Sequence, residues 1–575
     1  LPGIKKRGDS VLSGAVVLLG EAKMIVTKTG IESSFFATQV SIAQAKAEKE
    51  SGGKLASILS KIVLSITLFG IIIVTILGIY ITATEPDISL AQSVKHCFVL
   101  LTVILPVTMP LVLTTTLAYG SRELAKDNAV VQRFSAIPEM ATMDILCSDK
   151  TGTLTSGDMT VVEDECVILN QDVTVEKMLE LALITTRAEH GDAIDTAITK
   201  YFQDHETIRS AYSITKFVPF DSKTKKVTVF AKHLSTATDI VVVKGAPPVL
   251  LAFPGVSDET YAKANEILVE KSQRGFKTLA VSVQVNEYSW TLLGLISFID
   301  PPRFDSAQTV KRCFDLGVKV KMITGDQYLT ALEVGKQLKL PNLKMYNSDV
   351  FGANSSLVDE AGGFENLCEH AGGFTGVSPD HKLRVISALQ GCGHFVGMTG
   401  DGVNDVPALA GANVGVAVAG ATEAAKAASD IVLQQEGLST IILAIYGSRK
   451  IFNRIEQYMI YLISSSGIFG LVFFLVFLVT GLAFPIWAMV GLKFLNDISV
   501  LTSSKDRVLT SMCPKKLGTV KVLTVAFIIC VISSFQIWLF VHLLVVKNSD
   551  HKYIWGLASP LGFSGCEASS PLFLL

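Results

Sequence analysis

The stretch Met143-Asp144-Ile145-Leu146-Cys147-Ser148-Asp149-Lys150-Thr151-Gly152-Thr153-Leu154-Thr155 decides the fold. Its first residues read as a short buried strand and its last as a Gly/Thr-rich turn. Such a strand delivers Asp149 to the mouth of a parallel sheet, where open α/β folds hold their ligands. A carboxylate there can attack the terminal phosphoryl group of ATP and form an acyl phosphate. Thr151, two places on, offers no second carboxyl as acid or base. The phosphorylated form is therefore expected to persist, as suits a molecule that changes shape between chemical steps. Cys147 reads as a packed small residue rather than a reactive one.

Around this stretch the composition is divided. The chain has 575 residues, 49% hydrophobic and 18% charged, with a mean hydropathy of +0.45. It is too apolar for an ordinary soluble enzyme and too charged for a bare membrane bundle. A net charge of −2 gives no support for a nucleic-acid partner. Nine cysteines are scattered without a CxxC pair, so they read as free and reduced. Five apolar stretches, 61–83, 96–119, 458–482, 484–502 and 520–546, are expected to cross a lipid bilayer. The fourth is the weakest, because it contains Lys493, Asn496 and Asp497. Lys and Arg cluster beside the long polar segment, at Arg122, Lys126, Arg449, Lys450 and Arg454. That places the polar segment on the cytoplasmic side, where ATP is.

The expected organisation is a multidomain α/β protein with membrane helices. Residues 1–55 read as a β-rich part-domain and linker, 56–119 as two spans, and 438–546 as three more. Residues 547–575 form a tail without period. Between the spans, 120–158 and 290–437 alternate strand-like and helical patterns, predicting a doubly wound parallel sheet. Residues 159–289 read as an inserted α+β domain.

Two further strand ends carry chemistry. Asp401, in Asp401-Gly402-Val403-Asn404-Asp405, presents hard oxygens on a Gly-containing turn, which suits Mg²⁺. With Asp149 it can hold the ion that offsets charge in phosphoryl transfer. Thr324, Gly325 and Asp326 form a loop whose hydroxyl and N–H groups suit phosphoryl oxygens. In Leu105-Pro106-Val107-Thr108-Met109-Pro110, two prolines four apart cannot complete a regular helix. Unwound backbone at membrane depth lines an ion site or is buried in protein. Asp497 is an ionisable group at that depth, which is costly and usually functional. Lys493, four residues earlier, shares its helical face, and Asn496 can hydrogen-bond it.

The run Asp149-Lys150-Thr151-Gly152-Thr153-Leu154-Thr155 resembles the signature of P-type ATPases, the phosphoenzyme-forming membrane pumps. Met398-Thr399-Gly400-Asp401-Gly402-Val403-Asn404-Asp405-Val406-Pro407 resembles their hinge motif, with Val406 where Ala is usual. The resemblance extends to about residue 546. It implies a haloacid-dehalogenase-like parallel sheet, an inserted nucleotide domain and a β-rich actuator remnant. Haloacid-dehalogenase-type phosphatases usually carry Asp where Thr151 stands. By resemblance, Asp149, Lys150, Thr151, Thr324, Gly325, Asp326, Lys382 and Asn404 are catalytic, Lys382 neutralising the aspartyl phosphate. Asp149, Thr151, Asp401 and Asp405 surround Mg²⁺, while Asn404 and Asp405 tie the loop. Lys244-Gly245-Ala246-Pro247 resembles the nucleotide motif, Phe220 the ring stacked on adenine, and Lys225 and Lys277 the basic residues near ATP.

Pro106-Val107-Thr108-Met109-Pro110 resembles the motif of the type III plasma-membrane proton pumps. So do Asp192-Ala193-Ile194-Asp195, Asp300-Pro301-Pro302-Arg303 and Leu495-Asn496-Asp497. The resemblance implies ATP-driven proton export, with Pro106, Pro110, Lys493, Asn496 and Asp497 along the ion pathway. Plant relatives assist the acceptor Asp with an Arg that Ile463-Ser464-Ser465-Ser466-Gly467-Ile468 lacks. Lys493 is the substitute cation, or else extends to the interface. The family's Thr-Gly-Glu-Ser loop precedes a segment like Leu1-Pro2-Gly3-Ile4. This chain alone is thus expected to bind ATP and phosphorylate Asp149 without completing the cycle. The alternatives are a pump for another cation or a lipid, a membrane-anchored phosphohydrolase, and an inactive fragment.

Overall fold

The computed structural model describes residues 8–11, 24–29, 32, 54–84, 89–106, 108–170, 172–187, 193–220, 224–286, 289–352, 355–480 and 486–547. The strands expected within 1–40 lie mostly outside them, as do residues 41–53, Asp192 and the tail from 548. The chain divides into two units, Leu1–Lys46 with Met143–Ile442, and Ala47–Thr142 with Leu443–Leu575. Residues 120–142, expected in the polar head, therefore group with the membrane helices.

In the first unit Ile145–Ser148 is central to a parallel sheet. The order across the sheet is Ile431–Leu433, Val414–Ala417, Val396–Gly400, Ile145–Ser148, Lys319–Ile323, Gly373–Thr375 and Met345–Asn347. Ile145–Ser148, Val396–Gly400 and Val414–Ala417 are buried at every position, the pattern of strands covered on both faces. The chain runs first to one side of Ile145–Ser148 and later to the other. That reversal opens a crevice at the carboxyl ends of the central strands. Helices cover the sheet, among them Pro379–Gly391, started by a Ser378–His381 capping box and Pro379 in its first turn. This start sets Lys382 on the buried face.

Inserted after the first strand is an antiparallel sheet. Its order is Thr160–Val161, Ser289–Ile299, Lys277–Asn286, Asp239–Gly245, Lys226–His233 and Tyr212–Val218. Alternate residues face opposite cores. Val242, Val281 and Leu293 meet the helix Val175–Ile184 through Met178 and Ala182. Val243, Ala280 and Leu292 meet Leu250, Leu251 and Ala264 on the other side. The expected boundary at 289 falls at the start of a paired strand, so the antiparallel sheet continues to Ile299. Hydrophobic alternation could not separate the two sheets there, because both consume apolar strands.

The second unit is helical. Four stretches of the described residues are long and apolar enough to cross a membrane: Ser57–Ala83, Ser93–Lys126, Ser439–Leu478 and Thr519–Leu543. Of the expected fifth, 484–502, the described part is the helix Ile486–Leu501, with 16 residues; residues 481–485 lie outside those described. The doubled prolines interrupt the second stretch as expected. Helix Leu90–Ile104 ends before Pro106, and Met109–Lys126 begins with Pro110 in its first turn.

Gly294 sits where the edge segment Val167–Ile168 crosses Ser289–Ile299, and a Cβ there would lie 2.2 Å from the Val167 carbonyl oxygen. Backbone cannot give way as a side chain can. Gly294→Ala is expected to destabilise the head by about 1–3 kcal/mol, read as a lower thermal midpoint. An unchanged midpoint would contradict the packing described.

Candidate functional site

Three neighbouring strands end together. Ser148 is in register with Met322 on one side and Thr399 on the other, so Asp149, Thr324 and Asp401 emerge side by side. The Asp149 amide donates to the Thr399 carbonyl at 3.0 Å. The chain then turns sharply, with Thr151 extended and Gly152 left-handed at φ 71°. A Cβ on Gly152 would come within 2.0 Å of Asp401 Oδ2. Only glycine allows both the conformation and this approach.

The turn is held from downstream. Asp300 Oδ2 accepts from Lys150 Nζ at 3.2 Å and Thr155 Oγ1 at 2.7 Å, and its Oδ1 accepts from the Gly157 amide at 3.0 Å. Arg303 donates to the Gly152 carbonyl at 2.8 Å. The run Asp300-Pro301-Pro302-Arg303 stood in the sequence only as a resemblance. These contacts give it a positioning role that no local pattern announced.

Lys382 anchors the acidic centre. Its ammonium is 2.8 Å from Asp149 Oδ1 and 2.7 Å from Asp405 Oδ1, and it is buried. Burial opposes its charge, but Asp149 and then Asp405 hold it above the ordinary lysine range. Burial pushes the Asp149 carboxyl up to about 7, with Lys382 opposing and Asp405 adding to the rise. Burial, then the Asp405 charge, raises Asp401 as well. Oxygens of Asp149, Asp401 and Asp405 lie within 4.8 Å of one another. Three carboxylates carry more negative charge than one ammonium offsets, and their hard oxygens fit Mg²⁺. Thr151 is partly exposed on the same turn, and Asn404 is exposed beside buried Asp405.

The third loop is arranged differently from the expectation. Thr324 Oγ1 accepts from the Asp326 amide at 3.1 Å, while Gly325 is exposed. The Asp326 carboxylate is 2.7 Å from Lys150 and 2.9 Å from Lys277. Burial would raise it, but Lys150 and then Lys277 hold it below the usual carboxylate range. Lys277, expected beside the nucleotide residues, is thus drawn to the phosphate-type loop. Two charges far apart in sequence meet there, which spacing alone cannot show.

Lys244 is also paired, being buried against Asp195. Gly245 is in register with Lys226, and the Ala246 amide donates to the Lys225 carbonyl at 3.0 Å. Lys225 and Gly245 therefore lie together, with the Lys225 side chain exposed. Phe220 is 52% exposed, a surface ring rather than a core one.

Within the helical unit Asp497 gathers polar partners. Lys493 Nζ lies 3.0 Å from Oδ1, Thr108 Oγ1 donates to Oδ2 at 3.0 Å, and Asn496 Nδ2 donates to Oδ1 at 3.3 Å. Lys493 also donates to Ser466 Oγ at 2.9 Å. Asn496 is fixed by Ser465 and by the Tyr461 hydroxyl, which donates to its Oδ1 at 2.9 Å. Lys493 therefore turns inward instead of extending to an interface. Pro106 is buried at the helix break, whereas Pro110 is exposed one turn on. Thr108 went unrecognised in the sequence, although the doubled prolines around it marked the break that frees it.

Removing Asp300 would free the turn. Asp300→Ala is expected to cost about 1–3 kcal/mol, because Thr155 Oγ1 and the Gly157 amide lose their acceptor and Lys150 keeps Asp326 alone. Amide hydrogen exchange at Gly157 would accelerate on the order of 100-fold. Unchanged exchange there would deny Asp300 its positioning role.

Two comparisons bear on this geometry. Residues 143–413 match a family model described as haloacid dehalogenase-like hydrolase. The chain is 34% identical over 527 residues to the "Plasma membrane ATPase" of Dunaliella bioculata, covering 89% of this chain and 46% of that one. It thus spans about half the length of the curated relative it matches. The signature runs, the parallel sheet that carries them, the long apolar helices and this identity agree: the chain belongs to the P-type ATPase family.

Proposed function

We propose that this chain is the catalytic and central membrane part of a plasma-membrane pump that exports protons at the expense of ATP through an aspartyl phosphate. The observation that carries the reading is the buried Lys382 ammonium shared between Asp149 and Asp405 beside Asp401. An oxygen of Asp149 attacks the γ-phosphorus of ATP, a new O–P bond forms, the bond to the β-phosphate oxygen breaks, and ADP leaves. Lys382 lies 2.8 Å from that carboxylate and neutralises charge on the transferred group. The Thr324 hydroxyl and the Gly325 amide bind phosphoryl oxygens, while the Asp326 carboxylate positions Lys150 and Lys277. Mg²⁺, held by Asp149, Asp401 and Asp405 with Thr151 nearby, supplies charge neutralisation when bound.

Residues 159–289 serve as the nucleotide domain, where Lys244, Gly245, Lys225 and Phe220 meet ATP. The relative's printed name supports a plasma-membrane location. With Thr151 in place of an acid, the phosphoenzyme outlives the chemical step and drives the membrane helices.

Asp497 is the proton carrier in this reading. It lies at a helix break, bonded to Thr108 and Asn496, with Lys493 as its counter-charge. The test is ATP-driven acidification of inside-out vesicles by the longest polypeptide that carries this sequence. Asp149→Asn and Asp497→Asn are both expected to abolish acidification, and only Asp497→Asn to keep ATP-dependent phosphorylation. Stimulation by another cation or a lipid, without acidification, would reassign the cargo. Lys382→Ala is expected to slow phosphorylation by about 10²–10³. A rate within a few-fold of the parent would remove Lys382 from the chemistry.

A further inference from the structure

Between helix Ser439–Thr480 and the segment around Ser499 and Asp506 lies a cavity of about 240 Å³. Arg454, Gln457, Tyr458, Tyr461, Ser499 and Asp506 line it together with Val500, so polar groups are set into a mainly apolar wall, and its volume holds several waters. Two observations point to its use. The Tyr458 hydroxyl is buried and has no hydrogen-bond partner among the described residues. A buried hydroxyl is stable when water satisfies it, and the cavity offers that water. Tyr461, on the same wall, donates to Asn496 at 2.9 Å, and Asn496 donates to Asp497 at 3.3 Å. The cavity wall therefore stands two hydrogen bonds from the carboxylate.

The charges around it do not bar a cation. Arg454 is 2.9 Å from Glu123, which Lys450 also contacts, and donates its Nε to the Asp506 carbonyl at 2.8 Å; Asp506 itself lines the cavity, so two acidic residues stand against these two cations. Arg449, Lys450, Lys505 and Arg507 stand on the same side of the helices in sequence. Their bias marks the cavity's end as the cytoplasmic one.

We propose that this cavity is the hydrated vestibule through which the transported cation reaches Asp497 from the ATP side. Tyr458 anchors its water, and Tyr461 is a positioning residue that holds Asn496 against the carboxylate. The inference rests on the pump reading above.

The test uses the longest polypeptide carrying this sequence, in inside-out vesicles, with exposed Cys392 and Cys513 replaced by Ser. Ser499→Cys is treated from the ATP side with a membrane-impermeant, positively charged methanethiosulfonate. The expected result is modification that removes most ATP-driven ion movement, compared with the same variant before treatment, while Asp149 is still phosphorylated from ATP. Phe494→Cys, at an exposed position outside the cavity lining, should lose nothing under the same treatment. Failure of the reagent to reach Ser499→Cys from the ATP side, or modification without loss of transport, would overturn the vestibule. Tyr461→Phe is expected to raise the cation concentration for half-maximal turnover about fivefold while sparing the maximal rate. An equal fall in both would mean a merely structural role. If the vesicles never acidify but Asp497-dependent ATP hydrolysis answers to another cation, the proton assignment fails. The thiol test, read on that hydrolysis, still decides the vestibule.

Discussion

A lysine ammonium shared by two buried carboxylates is the constraint on which the head is built. Lys382 comes from the first turn of a helix, Asp149 from the end of the central strand, and Asp405 from the turn after the neighbouring strand. Removing one partner from a buried ion pair costs about 3–5 kcal/mol, because the other charge is stranded. The contact therefore fixes three elements at once. Burial and the Asp405 charge raise the Asp149 carboxyl, and Lys382 opposes the rise. A nucleophile so placed is poised to accept a group that carries its own counter-ion.

A second charge chain surrounds the first. Lys150 lies between Asp300 and Asp326, and Asp326 extends to Lys277 at the start of a strand of the antiparallel sheet. The strand that carries Lys277 is two strands from the one that carries Phe217–Val218's partner, and next to the one that carries Lys244. Any movement of the antiparallel sheet thus pulls on the residue after the nucleophile. In the helical unit, Lys493, Thr108 and Asn496 perform the analogous task around Asp497. In both places an acidic side chain is held by a cation and by hydrogen-bond donors, those around Asp300 coming from distant sequence and those around Asp497 from its own helix and from Thr108.

How much of this was legible follows from what is local. A strand followed at once by Asp149, Thr324 or Asp401 is written in consecutive residues, so the parallel sheet and its crevice could be read directly. The helix break at Pro106 was equally local, because proline acts on its own turn. Lys382 was legible only through family resemblance, since a lone lysine on a helix carries no signature. The Lys277–Asp326 pair and the Asp300 contacts depend on how segments roughly 50 and 150 residues apart meet. The helix Ile486–Leu501 was legible from its apolar composition, but not the polar cluster that Lys493 and Asp497 form inside it with Thr108, because Thr108 lies hundreds of residues away.

The account stands or falls on which atom takes the phosphate. Protein allowed to react with ATP and Mg²⁺, quenched in acid and reduced with borohydride, converts an aspartyl phosphate to homoserine, which peptide mass spectrometry locates. Homoserine at position 149, and its disappearance in Asp149→Asn, is the expected result. Reduction at another carboxylate, phosphate on a hydroxyl or histidine, or no adduct at all would contradict it.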